Sequence, residues 1–335
     1  MTINIANMKN TLASIAFILL NSFILHSQPL TKKAPGDFKV VGYYLLNSLL
    51  RDTISNDSNY TFLDKVTHVN LAFINPDTAG NFKQDLPLNQ FISRAHRKNV
   101  KVLASIAGGG PHTYYAALLQ GDKRKTLVTN LVSLTTIYEL DGIDVDLEGN
   151  DIDANYEAFV TDLAAALKTE RKLITAAIAT AYKDKLSDKA IQQFDFVNVM
   201  SYDRTGPWNP KRQGQHSPYS MAEEDLEYWN KTRLVPKEKL VLGVPFYGYG
   251  FGLADAPVVS MTYKDIVAAY PTAASADTLI LPDHKIMYYN GSSTIKKKTE
   301  LATNKASGVM IWQLLGDTPG EASLLNLIYN ITRKD

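Results

Sequence analysis

Cysteine is missing altogether from the 335 residues. That excludes disulfides, thiolate metal sites, a cysteine nucleophile and lipid attachment through cysteine. Histidine is scarce. None of His26, His68, His96, His112, His216 and His284 forms an i,i+4 pair or another metal-ligand spacing, so neither a metal nor a cofactor is expected. An excess of one charge is lacking too. Lys and Arg number 35 against 34 Asp and Glu, a net charge of +1, and nothing in that balance calls for a nucleic acid or an anionic membrane as partner. No G-x-G-x-x-G follows the first apolar strand, so a dinucleotide site of that kind has no support. Internal repeats and low-complexity tracts are absent as well.

What is present is an ordinary globular balance, 45% hydrophobic and 21% charged, in a length that suits one large barrel or two average domains. Residues 1–27 read as a signal peptide: Lys9 supplies the positive charge, Leu12 to Leu25 is mostly apolar, and Ser27 offers a small residue for cleavage. Met8 is an alternative start, and an uncleaved anchor is the competing reading. Asn21 and Ser22 interrupt the apolar run, which is short for a bilayer. Residues 28–36 form a Pro- and Lys-containing lead-in, and residues 37–335 the folded domain. The expectation is a secreted protein, monomeric, with no membrane association once the signal is removed.

From Phe38 onward, short β-rich runs alternate with segments of helical period. The runs are Val40–Tyr44, Val66–Ile74, Val100–Ala107, Gly142–Leu147, Leu173–Thr180, Phe196–Tyr202, Val241–Phe246 and Gly308–Trp312. Helical patterns include Leu88–Lys98, Tyr156–Leu167, Ala222–Lys231 and Ile295–Asn304. Such alternation predicts parallel pairing with helical crossovers, and eight units in this length predict a closed (β/α)8 TIM barrel. An open doubly wound sheet is the alternative. In a barrel, chemistry belongs at the C-terminal ends of the strands.

Asp141-Gly142-Ile143-Asp144-Val145-Asp146-Leu147-Glu148 is the most informative run. Ile143, Val145 and Leu147 share one parity, and Asp144, Asp146 and Glu148 the other. On a strand the three carboxyls then point to one face, with Cα atoms about 6.6 Å apart. A calcium loop is the bland alternative, but its required glycine and later glutamate are out of register. Three buried carboxyls this close cannot all ionise, so at least one keeps its proton near neutrality and can serve as a general acid. Glu148, nearest the strand's C-terminal end, is best placed to reach a substrate. Asp141 has the other parity and reads as structural. Glycoside hydrolysis usually needs carboxyls on both sides of the scissile bond. No second sharp acidic motif supplies the opposite face, and a nucleophile provided by the substrate resolves this.

The acidic strand resembles the D-x-x-D-x-D-x-E signature of glycoside hydrolase family 18, the chitinases and their relatives. Lys101 to Gly109 resembles the family's third-strand S-x-G-G motif, with Ala107 where glycine is usual. Met200-Ser201-Tyr202-Asp203 is similar to its M-x-Y-D, Gly243 to Gly248 to its seventh strand, and Gly308 to Gln313 to the eighth, which carries a Trp under the reactive sugar. Gly42-Tyr43-Tyr44 and Ala72-Phe73 fit strands one and two.

The resemblance implies retaining, substrate-assisted cleavage of chitin or other N-acetylglucosamine oligomers, without a cofactor. Glu148 would be the acid and base, Asp146 would hold the acetamido N–H, Asp144 would trade its interaction with Asp146, and Tyr202 would orient the acetamido carbonyl. Candidate substrate contacts are Trp312, Asp203, Met200, Tyr247, Trp208, Tyr43 and Phe73. Tyr202 and Trp312 also admit a core-filling reading, Asp203 that of a loop cap, and Ser105 reads as structural. Rival functions are an endo-N-acetylglucosaminidase acting on N-glycans or peptidoglycan, and a chitin-binding lectin. The stretch Tyr249 to Ser307 must hold the seventh helix and is short for a large α+β insertion. A shallow cleft and random endo cutting follow as expectations.

Overall fold

The β-branched, apolar runs pair with one another until no edge is left. The structure, a computed structural model, describes residues 38–52, 57–110, 112–253 and 256–333. The first seven strands are β1 (Lys39–Leu45), β2 (His68–Ala72), β3 (Lys101–Ala107), β4 (Gly142–Asp146), β5 (Leu173–Ile178), β6 (Phe196–Val199) and β7 (Leu240–Pro245). Then come β8 (Tyr247–Phe251), β9 (Val259–Thr262), β10 (Thr278–Ile280), β11 (Ile286–Tyr288) and β12 (Gly308–Trp312). Strands β1 to β7 and β12 form a closed parallel barrel in the order β1-β12-β7-β6-β5-β4-β3-β2. β1 closes it, pairing Val41 with both Met310 and His68. This is the expected (β/α)8 barrel. The signal peptide and lead-in assigned to residues 1–36 lie outside the described residues.

The helices are α1 (Leu46–Asp52), α2 (Asn89–Arg97), α3 (Tyr115–Leu118), α4 (Gly121–Ile137), α5 (Tyr156–Thr169), α6 (Asp188–Gln193), α7 (Tyr219–Glu227), α8 (Tyr263–Ala269), α9 (Ser292–Lys305) and α10 (Leu324–Thr332). α5 shows why they form. Tyr156, Phe159, Val160, Leu163, Ala164 and Leu167 recur at helical spacing and are all buried. Glu157 in its first turn and Lys168 in its last suit the helix dipole. Each large apolar side chain covered this way contributes roughly 1.5–3 kcal/mol. Ile143 and Val145 join that outer core, while Asp144 and Asp146 take the opposite parity and face the barrel interior. At Gly142 a Cβ would lie 2.2 Å from the Leu173 carbonyl oxygen, so the entry of β4 beside β5 admits only glycine.

Most strand bounds shift by a residue or two from the sequence reading, and two differences matter for the site. β6 stops at Val199 instead of running to Tyr202, because Ser201 N–H turns back to the Val199 carbonyl and Asp203 adopts φ 62°. Tyr202 and Asp203 thus stand on the strand's exit. The segment before β12 is too short for a large insertion, but it is not bare. Besides α8 and α9 it folds a four-stranded antiparallel sheet, β10-β11-β8-β9, whose Tyr-Gly alternation in β8 escaped the strand pattern.

Candidate active site

β4 delivers its carboxyls at increasing height in the barrel. Asp144 is deepest and fully buried. Its Oδ2 accepts from Tyr43 Oη (2.6 Å) and Ser105 Oγ (2.8 Å), and its Oδ1 from Thr175 Oγ1 (2.5 Å) and Asn198 Nδ2 (3.3 Å). Burial raises its pKa while these four donors work against the rise. Asp146, 3% exposed, has an Oδ1 with no hydrogen-bond partner. Its pKa stands well above the carboxylate range, first through burial, then through the charges of Glu148 and Asp144. Glu148 lies just beyond the strand and is only partly buried. Burial, then Asp203, then Asp151 push its pKa from 4.5 to about 7. Burial and repulsion thus disfavour charge on both Asp146 and Glu148, and the outer group keeps its proton up to about pH 7. Asp151 itself is buried and accepts from the His112 backbone N–H.

Tyr202 is 8% exposed, and its hydroxyl is directed at Met310 Sδ, 3.9 Å away. A thioether is a weak acceptor, so this hydroxyl is poorly satisfied for a core tyrosine and available to a ligand. Burial and then Asp146 raise its pKa far above the usual tyrosine value. Asp203 is no simple loop cap. Its Oδ1 accepts from the Tyr247 hydroxyl and faces His216 Nδ1 at 3.3 Å.

The aromatic candidates divide by height. Trp312 is half-buried, stacked on Phe73 at 5.7 Å between centroids and edge-on to Tyr43 at 5.3 Å. The Ala72–Phe73 and Trp312–Gln313 peptides beside them are cis. Tyr247 meets Tyr202 edge-on. Trp208, 60% exposed, stands on the loop after β6 with its ring over Gly206 and its edge towards Tyr249. Met200 is buried in the interior cluster with Tyr202 and Met310. Tyr43 corrects its assignment as a sugar contact. It is 1% exposed and its hydroxyl is committed to Asp144, so it supports the carboxyls from beneath. Asp141 accepts from Val102 N–H (2.7 Å) and pairs with His96 (2.9 Å) at the start of the strand, a structural role.

Ala107, standing where glycine is usual, adopts φ 70°. Asn75 clamps its backbone from both sides, accepting from its N–H at 2.6 Å and donating to its carbonyl at 3.0 Å. Sequence reasoning missed Asn75, Thr175, Asn198, Tyr249 and His216. Thr175 and Asn198 were legible by the parity rule used for the acids, as polar residues at alternate positions of apolar strands. His216 and Asn75 carried no such signal.

A closed parallel barrel with a carboxyl cluster at its strand C-termini is the architecture of the barrel hydrolases. The sequence profile of Glycosyl hydrolases family 18 matches residues 39–317, and the chain belongs to that family. A family 18 chitinase from the chitin utilization locus of Flavobacterium johnsoniae has a similar structure: 36% identity, 88% of this chain and 94% of that one covered, TM-score 0.79. A probable endochitinase of Caenorhabditis elegans is 33% identical over 47% of this chain, and the match spans 30% of that longer protein. Human chitinase-3-like protein 2 is 28% identical over 69% of this chain and 74% of its own length.

Proposed function

We propose that the protein is a secreted, monomeric chitinase that cuts β-1,4 bonds between N-acetylglucosamine units with retention of configuration. The observation that carries this reading is Glu148, a half-buried carboxyl at the exit of β4, held protonated up to about pH 7 over Asp146. Glu148 gives its proton to the glycosidic oxygen as the bond to C1 breaks. Asp203, the other accessible carboxyl beside it, is already engaged by Tyr247 and faces His216, which suits a contact better than a nucleophile. The 2-acetamido carbonyl oxygen of the sugar therefore attacks C1 and forms an oxazolinium ion. Asp146 accepts from the acetamido N–H, and its charge is favoured once that cation develops. Tyr202 donates to the acetamido oxygen. Water then loses a proton to Glu148 and opens the ring at C1, restoring the acid. Trp312, over Phe73, offers the aromatic floor for the sugar.

The test is hydrolysis of chitin oligomers, N-glycans and cell-wall sugars by the parent and by Glu148→Gln. Cleavage of chitin oligomers by the parent, with the β anomer formed first, and its loss in the variant are expected. A parent that binds these oligomers and never cuts them is a lectin. Cleavage confined to N-glycans or peptidoglycan moves the substrate to another N-acetylglucosamine polymer.

A further inference from the structure

His216 is fully buried and lies far along the chain from the acidic strand β4, yet it touches the site. Its backbone needs no help from its ring. The Arg204 N–H donates to the His216 carbonyl (2.9 Å), and Thr205 Oγ1 donates to the Gly214 carbonyl (2.7 Å). Ser217 Oγ donates to the Ser201 carbonyl (2.6 Å), while Lys298 on α9 donates to the Ser217 carbonyl (2.7 Å). These bonds close the neck of the loop between β6 and α7. The ring is free to serve another purpose, and its Nδ1 faces Asp203 Oδ1 at 3.3 Å.

The ring sits in a pocket made by three elements. Asp203 faces it from the exit of β6. Tyr247 and Tyr249 pack on it from β8, with centroids 4.9 and 5.1 Å away. Lys298 approaches from α9. Burial, opposed by Asp203 and by a backbone hydrogen bond to Tyr247 and reinforced by the Lys298 charge, holds the imidazole below its ordinary pKa. A neutral ring has one N–H to give, and Asp203 is the carboxylate beside Nδ1.

We propose that His216 is a positioning residue for the active site: its ring, donating from Nδ1, fixes the Asp203 carboxylate against Tyr247 and holds that charge in place near Glu148. Asp203 holds a left-handed backbone conformation, which an aspartate tolerates best when its side chain is hydrogen-bonded, so an anchor on that side chain matters. The inference rests on Glu148 being the acid, but it is read without turnover.

The experiment begins with the unaltered protein. The 15N shifts of the His216 ring report tautomer and charge across the acid range. A neutral Nδ1–H ring at pH 6 is expected; an imidazolium or an Nε2–H tautomer there overturns the proposal. Next, Glu148 is titrated by carboxyl 13C NMR in His216→Leu and His216→Asn. Loss of the anchored like charge lowers the Glu148 midpoint in His216→Leu by on the order of 0.5 unit. Asn restores the midpoint, because its amide N–H stands near the place of Nδ1. In an Asp203→Asn background the His216 substitutions have no further effect on it. An unmoved Glu148 in a folded His216→Leu protein overturns the idea. Should the parent hydrolyse nothing, the proposed activity fails while the NMR result still decides the role of His216. If it hydrolyses chitin oligomers, the alkaline limb of kcat/KM moves with the Glu148 midpoint.

Discussion

Glu148 shows what a single residue owes to its surroundings. Its carboxyl is ordinary in an unfolded chain and acidic only weakly in the folded one, because burial and the charges of Asp203 and Asp151 oppose ionisation. Since the proposed chemistry needs the protonated form, kcat/KM on chitin oligomers should fall as pH rises through about 7. Glu148→Gln should lose roughly 10²–10⁴-fold in kcat while still binding oligomers, as single-turnover and binding measurements would show. Ala107 offers a test of strain. Relief of about 1–2 kcal/mol in the left-handed conformation exceeds the 0.5–1 kcal/mol of extra chain entropy that glycine brings. Ala107→Gly should therefore gain up to about 1 kcal/mol in denaturant unfolding; a loss of stability would show that Asn75 already removes the strain.

At the scale of elements, the strand β4 carried its message in its own parity. Alternation alone placed Asp144, Asp146 and Glu148 on one face and Asp141 on the other, and the structure keeps both assignments. The partners of those acids were less visible, since Thr175, Asn198 and Ser105 come from three other strands and meet only when the barrel closes. Close strand approach makes Gly142 the sensitive position of this element. Its missing Cβ would meet the Leu173 carbonyl at 2.2 Å, and backbone cannot yield as a side chain can. Gly142→Ala should cost on the order of 3 kcal/mol or leave the protein insoluble, measurable by urea unfolding. The sheet β8–β11 is built from strands of only three to five residues, a low wall beside Trp208 and Asp203. Random endo cutting is the expected outcome, with mixed oligomers among the first products; early products dominated by the disaccharide would refute it.

For the whole molecule, closure couples the first barrel strand to the last. β1 pairs with β12 on one side and β2 on the other, so no strand can leave without opening the barrel. One cooperative thermal transition, with loss of far-UV and near-UV circular dichroism at the same temperature, is expected. Its midpoint should depend on pH with a definite sign. The folded state holds the Glu148 proton up to about pH 7, whereas the unfolded chain releases it near 4.5. That stabilisation is complete below the lower value and lost as pH rises through the upper one, on the order of 3 kcal/mol in all. Melting temperature should fall between about pH 5 and 8, and Glu148→Gln should flatten the slope.

Sequence by itself determined the strand–helix alternation that predicts a barrel, the acidic strand and the outermost position of Glu148, because period and parity are local properties of a chain. Tertiary structure alone decided that Tyr43 lies beneath the cleft, that Asp144 is saturated by donors from four strands, and that His216 reaches Asp203. Those are contacts between residues distant in sequence, and no local pattern encodes which of many polar side chains will meet when the sheet closes.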